Sequence, residues 1–339
     1  MRAAMYYAND DVRIVDLPKP KIGAGEILVK VRASGICGSD VMEWYRKPKA
    51  PLVLGHEIAA EVVEVGAGVD RIEVGSRVFV SHHVPCGQCR YCLAGHETVC
   101  DTLRATNFDP GGFAEFVRVP AINVKHGVFS LPSGISDEEA TFVEPLACVI
   151  RGQRLAGFRP GGTVLVIGSG VAGLLQVKLA KASGAARVLA TDIVAFRKAA
   201  ATKAGADFVI DGRDHVPSKV KETNEGRLAD LVVTCTGAAK AIAQGFASVD
   251  RGGTILLFAP TEPAAKIVIP FNALWREEVT VISSYGGSPR DVRDAIELLA
   301  GKRIAVGDLI THVLPLASAK EGFQLVARAL DSIKVILRP

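Results

Sequence analysis

The run Gly168-Ser-Gly170-Val-Ala-Gly173 constrains the fold of this chain more than any other stretch. It stands directly after a β-forming run, 163–167 (TVLVI), and opens a segment of helical spacing, 171–183. The first glycine permits a tight turn, the second lets a pyrophosphate approach the backbone, and the third lets the helix sit close on the strand. The N–H groups and dipole at the start of such a helix favour an anion. The alternative is a turn that needs glycine for its backbone alone. Strand, glycine turn and helix together predict the first unit of a doubly wound parallel sheet that takes a dinucleotide.

The residues that follow keep the alternation. β-like runs at 187–192 (RVLATD), 207–211, 230–234 (DLVVT), 254–258 (TILLF) and 280–284 (TVISS) are separated by helical stretches. Six such runs with helical crossovers predict a parallel α/β sheet over 141–288. Asp192 closes the second run, nineteen residues after Gly173. A carboxylate there accepts hydrogen bonds from ribose hydroxyls and repels a 2′-phosphate, which favours NAD over NADP. Arg197, five residues on, can pair with a phosphate or lie against an adenine. Thr236 follows Cys235 in a strand-end CTG expected beside the cofactor. Gly168, Gly170, Val171, Gly173, Asp192, Arg197 and Thr236 are the candidate cofactor residues.

Residues 1–140 have a different texture. Short β-like runs at 27–32, 61–65 and 77–80 are separated by glycine and proline, with no long amphipathic helix between them. This pattern predicts a compact all-β unit. The stretch from 289 carries helical runs at 290–300 and 317–329 and a β run at 334–338; spacing alone does not say which unit it joins. A length of 339 residues suits two domains, and 49% hydrophobic with 22% charged residues is ordinary for a soluble globular chain. The net charge of +4 is spread along the chain, unlike the basic stripe of a nucleic-acid binder. The N-terminus lacks the apolar core of a signal peptide. The uncharged window 160–177 holds five glycines and changes period midway, so it reads as strand, turn and helix and not as a membrane span.

Seven cysteines are too few for a disulfide scaffold at this length, and a reducing cytoplasm fits them. Four of them, Cys86, Cys89, Cys92 and Cys100, follow a C-x2-C-x2-C-x7-C spacing. Thiolates so spaced can wrap one tetrahedral zinc from a single loop, and four protein ligands leave no open position. That makes the predicted role structural. An iron–sulfur cluster is the other metal reading, and inert core cysteines the reading without metal. The neighbouring His82, His83 and His96 read as solvated loop residues.

A second set is dispersed. Cys37 lies in GICGSD, His56 and Glu57 in GHE, and Glu144 in VEP. Each is weak alone, but together they offer sulfur, nitrogen and oxygen donors suited to zinc, with room for water or substrate. Asp40 either caps the following helix or orients a ligand, and the cap is the favoured reading. Trp44 and Tyr45 can line a pocket or fill the β unit. Cys148 and Cys235 read as small buried residues.

In this order GICGSD, GHE, the four-cysteine loop, VEP and GSGVAG resemble the zinc-containing medium-chain dehydrogenase/reductase family, and within it the sorbitol and threonine dehydrogenase-like branch. The resemblance covers essentially the whole chain. It implies a GroES-like β barrel in 1–140, completed by 289–339, and a Rossmann domain in 141–288. It implies a catalytic zinc on Cys37, His56 and Glu57, with Glu144 as a fourth or alternating ligand. It also implies a structural zinc on Cys86, Cys89, Cys92 and Cys100, hence two zinc ions per chain. The implied chemistry is hydride transfer from a carbinol carbon to NAD, with Ser39 as the relay hydroxyl. Met42 stands where many relatives carry histidine, so the proton leaves through Ser39 and the cofactor ribose, or through another group.

Glutamate after His56 points to the polyol-like branch. The expected reaction is oxidation of a secondary alcohol, polyol or cyclitol hydroxyl to a ketone, and its reverse. An L-threonine-type amino-alcohol is the alternative. A zinc-free reductase of the superfamily would lack Cys37 and the His56–Glu57 pair, and a non-enzymatic NAD-binding protein would have no use for an open metal set. The resemblance further implies a homotetramer or homodimer joined through Rossmann-sheet edges, with the run at 280–284 as the candidate edge. The partner is then a small-molecule alcohol, with neither nucleic acid nor membrane.

Overall fold

The structure, a computed structural model, describes residues 1–339. It forms two compact units, Met1–Ala147 with Gly287–Pro339, and Cys148–Gly286. No helix is long and apolar enough to cross a membrane.

The second unit is a six-stranded parallel sheet. Its order is Phe208–Asp211, Arg187–Asp192, Thr163–Ile167, Ala229–Thr234, Val249–Leu257 and Thr280–Ser283. Chain order reverses beside Thr163–Ile167, and this is the switch point where such sheets bind ligands. Thr163–Ile167 is buried at every residue. A strand covered on both faces needs a continuous apolar run, which TVLVI supplies. The helix Val171–Ala182 follows directly, so 160–177 is strand, turn and helix.

The first unit is built on mixed β structure, in accord with the all-β expectation. Its larger sheet runs Ile310–Pro315, Lys334–Arg338, Ile27–Gly35, Glu57–Val65, Arg77–Val80 and Val128–Ser130, with Phe116–Val119 also paired to Ile27–Gly35. A smaller sheet joins Asp11–Asp16, Arg2–Ala8 and Leu52–Val53. Between the strands only short helices occur, the longest before residue 130 being Ala121–Gly127. Ile27, Val29, Ile58, Val62, Val78 and Val117 fill one core at under 2% exposure, so the strand faces decide which residues turn inward. The strand Ile310–Pro315 is absent from the sequence reading. It is only partly buried, ends in proline and lacks the enclosed apolar run that marks its neighbours.

The chain beyond Gly287 belongs to this first unit. Lys334–Arg338 lies antiparallel to Ile27–Gly35, with Ile336 opposite Gly35. Lys334 and Glu57 form a direct ion pair at this junction, each side chain 1% exposed. A Cβ on Gly35 would meet the Glu57 carboxylate and stand 2.6 Å from Lys334 Nζ, so any larger residue there must displace the ends of the paired side chains. The Lys334 ammonium also lies 5.3 Å from the centre of the Phe142 ring. Removing one partner of a buried pair strands the other charge, at a cost of about 3–5 kcal/mol. Lys334→Met is therefore expected to lower the stability of the metal-free protein by about that amount in urea unfolding. Adding Glu57→Gln should restore most of the loss, and a Lys334→Met variant as stable as the parent would contradict this account.

Candidate active site and metal centres

The register of two strands assembles the open ligand set. Gly35 pairs with Glu57 across antiparallel strands. Cys37 leaves the first strand two residues after Gly35, and His56 enters the second one residue before Glu57, so both arrive at the same end of the pair. One donor atom each from Cys37, His56 and Glu57 lie within 4.8 Å of one another. Sulfur, imidazole nitrogen and carboxylate oxygen at this spacing suit zinc, and three ligands leave a position open. Burial raises the Glu57 carboxyl above its usual range against the opposing charges of Lys334 and His56, and Glu144 adds to the rise. Glu144 sits in the first turn of the helix Val143–Leu155 and stands outside the three-residue group.

Asp40 does not cap the helix that follows, Glu43–Arg46, whose N-cap is Met42; it lies within the preceding turn, closes that turn and faces His56. Its Oδ2 accepts from the Cys37 N–H at 3.1 Å, closing the turn Gly38–Val41. Its Oδ1 accepts from Arg46 Nη2 at 3.2 Å and lies 3.5 Å from His56 Nδ1. With Nδ1 turned to Asp40, Nε2 is the nitrogen left for a metal. Burial works to raise the Asp40 carboxyl, but His56, Arg46 and the Cys37 N–H outweigh it and hold it below the usual range.

The roles of four neighbours were not anticipated from the sequence. His82 and His83 are not solvated. Both are partly buried, the His82 ring lies 4.8 Å from His56 and 3.9 Å from His83, and burial holds both imidazoles below their usual range. Their place in a loop gave no hint that the loop folds over His56; His96, in contrast, is exposed. Arg46 reaches back to Ser39 and Asp40 from the helix Glu43–Arg46. Lys334 could have been noticed as a cation opening the apolar run VIL. Trp44 and Tyr45 are 38% and 37% exposed, and Lys49 and Arg46 lie over the Tyr45 ring, so neither residue fills the β core.

The four-cysteine loop closes on a point. Sγ separations are 3.5 Å for Cys89–Cys92, 3.6 Å for Cys86–Cys100 and 4.0 Å for Cys86–Cys92. Four sulfurs bound at zinc distance around one ion stand roughly 3.8 Å apart. The loop thus fits a single ion rather than a multi-iron cluster. Burial pushes the Cys100 thiol up, but the backbone N–H groups of Cys86 and Leu103 and the neighbouring thiols prevail and bring it down to about 6. In the same cluster burial, with the Cys89 thiol, pushes Cys92 up to about 12, so the four thiols are not equally ready to ionise without an ion.

In the second unit, Gly168 takes φ +94°, and a Cβ on Gly173 would collide with the Gly168 carbonyl. Helix and strand therefore approach as the spacing predicts. Val171 begins the helix. Asp192 accepts from the N–H of Ser169 at 2.8 Å and of Val194 at 2.9 Å, which fixes its carboxylate against the glycine turn. Arg197 Nη1 stands 3.9 Å from where a Gly170 Cβ would be, and Thr236 Cβ 3.5 Å from that of Gly168. A cradle kept open by glycines and flanked by one guanidinium fits a dinucleotide.

If Asp40 orients His56, Asp40→Asn should weaken zinc at the open set by about 10–100-fold, the usual effect of losing such a partner. Metal analysis after mild chelation should find one zinc retained, on the four thiols. Equal loss from both sites would contradict the assignment.

Residues 23–132 match the alcohol dehydrogenase GroES-like domain family and residues 170–301 the zinc-binding dehydrogenase family. The chain is 37% identical to L-threonine 3-dehydrogenase of Pyrococcus horikoshii over 88% of its length and 86% of that protein. It is 33% identical to sorbitol dehydrogenase of Gallus gallus, over 99% and 96%. Its fold matches the crystal structure of a zinc-binding dehydrogenase from Sinorhizobium meliloti bound to NADP, with a TM-score of 0.89, 29% identity and coverage of 100% and 99%. The chain therefore belongs to the zinc-containing medium-chain dehydrogenase/reductase family, with a GroES-like and a Rossmann-like domain, and is an alcohol-oxidising oxidoreductase.

Proposed function

We propose that this dehydrogenase oxidises a secondary hydroxyl flanked by a further hydroxyl, as in a polyol or cyclitol, to a ketone with NAD, and catalyses the reverse. The observation that carries this reading is the convergence of Cys37, His56 and Glu57 donors within 4.8 Å, with a ligand position left open. When bound, zinc supplies Lewis acidity toward the substrate hydroxyl and nicotinamide supplies the hydride acceptor. Cys37, His56 and Glu57 are the residues that hold the first ion, with Glu144 as a fourth or alternating ligand. Cys86, Cys89, Cys92 and Cys100 hold a second, structural one, giving two per chain. Asp40 fixes the His56 tautomer, and Ser39 presents its hydroxyl to the reacting alcohol. The backbone of Gly168, Gly170, Val171 and Gly173 receives the pyrophosphate, flanked by Arg197 and Thr236.

NAD is favoured because Asp192 presents a carboxylate where a 2′-phosphate would have to sit. The Sinorhizobium protein carries NADP, so this choice is the sharper half of the proposal. The seven cysteines form no disulfide, which supports a reducing compartment such as the cytoplasm. A homodimer or homotetramer is supported by the edge strand Thr280–Ser283, beside which Phe271 and Trp275 are 74% and 69% exposed.

NADH formation across polyols, cyclitols, L-threonine and monohydric secondary alcohols is the direct test. The expected result is highest kcat/KM on a vicinal diol, with NAD preferred over NADP by about tenfold or more. Asp192→Ala should narrow that preference. Preference for NADP in the parent would overturn the reading of Asp192, and full activity in Cys37→Ser would overturn that of the open metal set.

A further inference from the structure

We propose that Arg46 is a positioning residue that sets the direction of the Ser39 hydroxyl. The inference rests on the reading of Ser39 as the hydroxyl that meets the reacting alcohol. Arg46 folds back over the turn Gly38–Val41 and grips Ser39 twice. Its Nε donates to the Ser39 carbonyl at 3.0 Å, and its Nη2 donates to Ser39 Oγ at 3.1 Å. The same Nη2 donates to Asp40 Oδ1 at 3.2 Å, so its two hydrogens are divided between a hydroxyl and a buried carboxylate. The Arg46 side chain is 14% exposed, and Asp40, its anchor, is fully buried.

The direction follows from the chemistry of the donor. A guanidinium has five N–H donors and no acceptor. Ser39 Oγ must accept from it, and the Ser39 proton is turned away from Arg46. A hydroxyl fixed in this way offers its own hydrogen and one remaining lone pair to whatever oxygen lies on the other side. Met42, three residues on, has no N–H or O–H on its side chain and can do none of this. The planar fork matters as well as the charge. Nε and Nη2 engage the backbone and side chain of one residue together, which a flexible ammonium does not reproduce.

Arg46→Met, Ser39→Ala and the double variant test the proposal, with kcat, KM, zinc content and thermal melting measured on each. Arg46→Met should lower kcat about tenfold or more, as loss of orientation does. KM should change less than about twofold, with both zinc ions retained. In the Ser39→Ala background the same substitution should cost less than about twofold, because paired residues acting as a unit are not additive. Guanidinium added to Arg46→Ala should recover activity only where Ser39 is present. If Arg46→Met fails to fold, Arg46→Lys keeps the charge at Asp40 and should show the same pattern with a smaller drop. Equal losses with and without Ser39, or loss of zinc in step with activity, would overturn the role of Arg46 while leaving that of Ser39 standing. Full kcat in Ser39→Ala alone would sink the reading of Ser39 and the proposal with it.

Discussion

A carboxylate and an ammonium enclosed together inside a β unit hold each other in place, and much of the first unit depends on that pair. Glu57 and Lys334 are separated by 277 residues, and both are almost wholly removed from water. Neither charge can stay there alone. The pair therefore ties the strand Lys334–Arg338 to Ile27–Gly35 and lies against Gly35, where a side chain would displace it. It also holds one carboxylate oxygen of Glu57 away from solvent while Cys37 and His56 complete the group beside it. The geometry of the open metal set is thus tied to a residue that no ligand motif contains.

A hierarchy of anchoring runs outward from this point. Glu57 is held by Lys334, His56 faces Asp40, and Asp40 is held by Arg46 and the Cys37 N–H. Each donor of the set has a partner that restricts its rotation, Cys37 Sγ accepting from the Ser39 N–H, and such support suits residues meant to hold a metal. The four-cysteine loop needs less support. All its sulfurs come from one short segment, and its own backbone N–H groups donate to the sulfurs of Cys86 and Cys100.

What could be read in the sequence follows from how local each signal is. The parallel sheet was legible because TVLVI, RVLAT and DLVV announce buried strands, and GSGVAG links two elements by a turn whose chemistry is self-contained. The four-cysteine site was legible for the same reason. Cys37, His56 and Glu57 were legible only as parts of named motifs, since strand register, not spacing, brings them together. Lys334 and Arg46 were missed. Their partners lie in other elements, and nothing in a string of residues marks a cation that folds back. His82 was misjudged because a loop position says little about enclosure. Ile310–Pro315 was missed because half-exposed strands carry weak alternation.

The distance in sequence between Glu57 and Lys334 also has a consequence for synthesis. A chain made from its N-terminus exposes Glu57 on the ribosome long before its counter-ion exists. During that interval the nascent first unit carries an acid that it cannot bury, and strand Ile27–Gly35 lacks a neighbour. The segment Cys148–Gly286, contiguous in the chain, meets no such delay and can close on itself as it emerges. The unit Cys148–Gly286 is thus complete in the chain before the strand that supplies the counter-ion of Glu57 has been made.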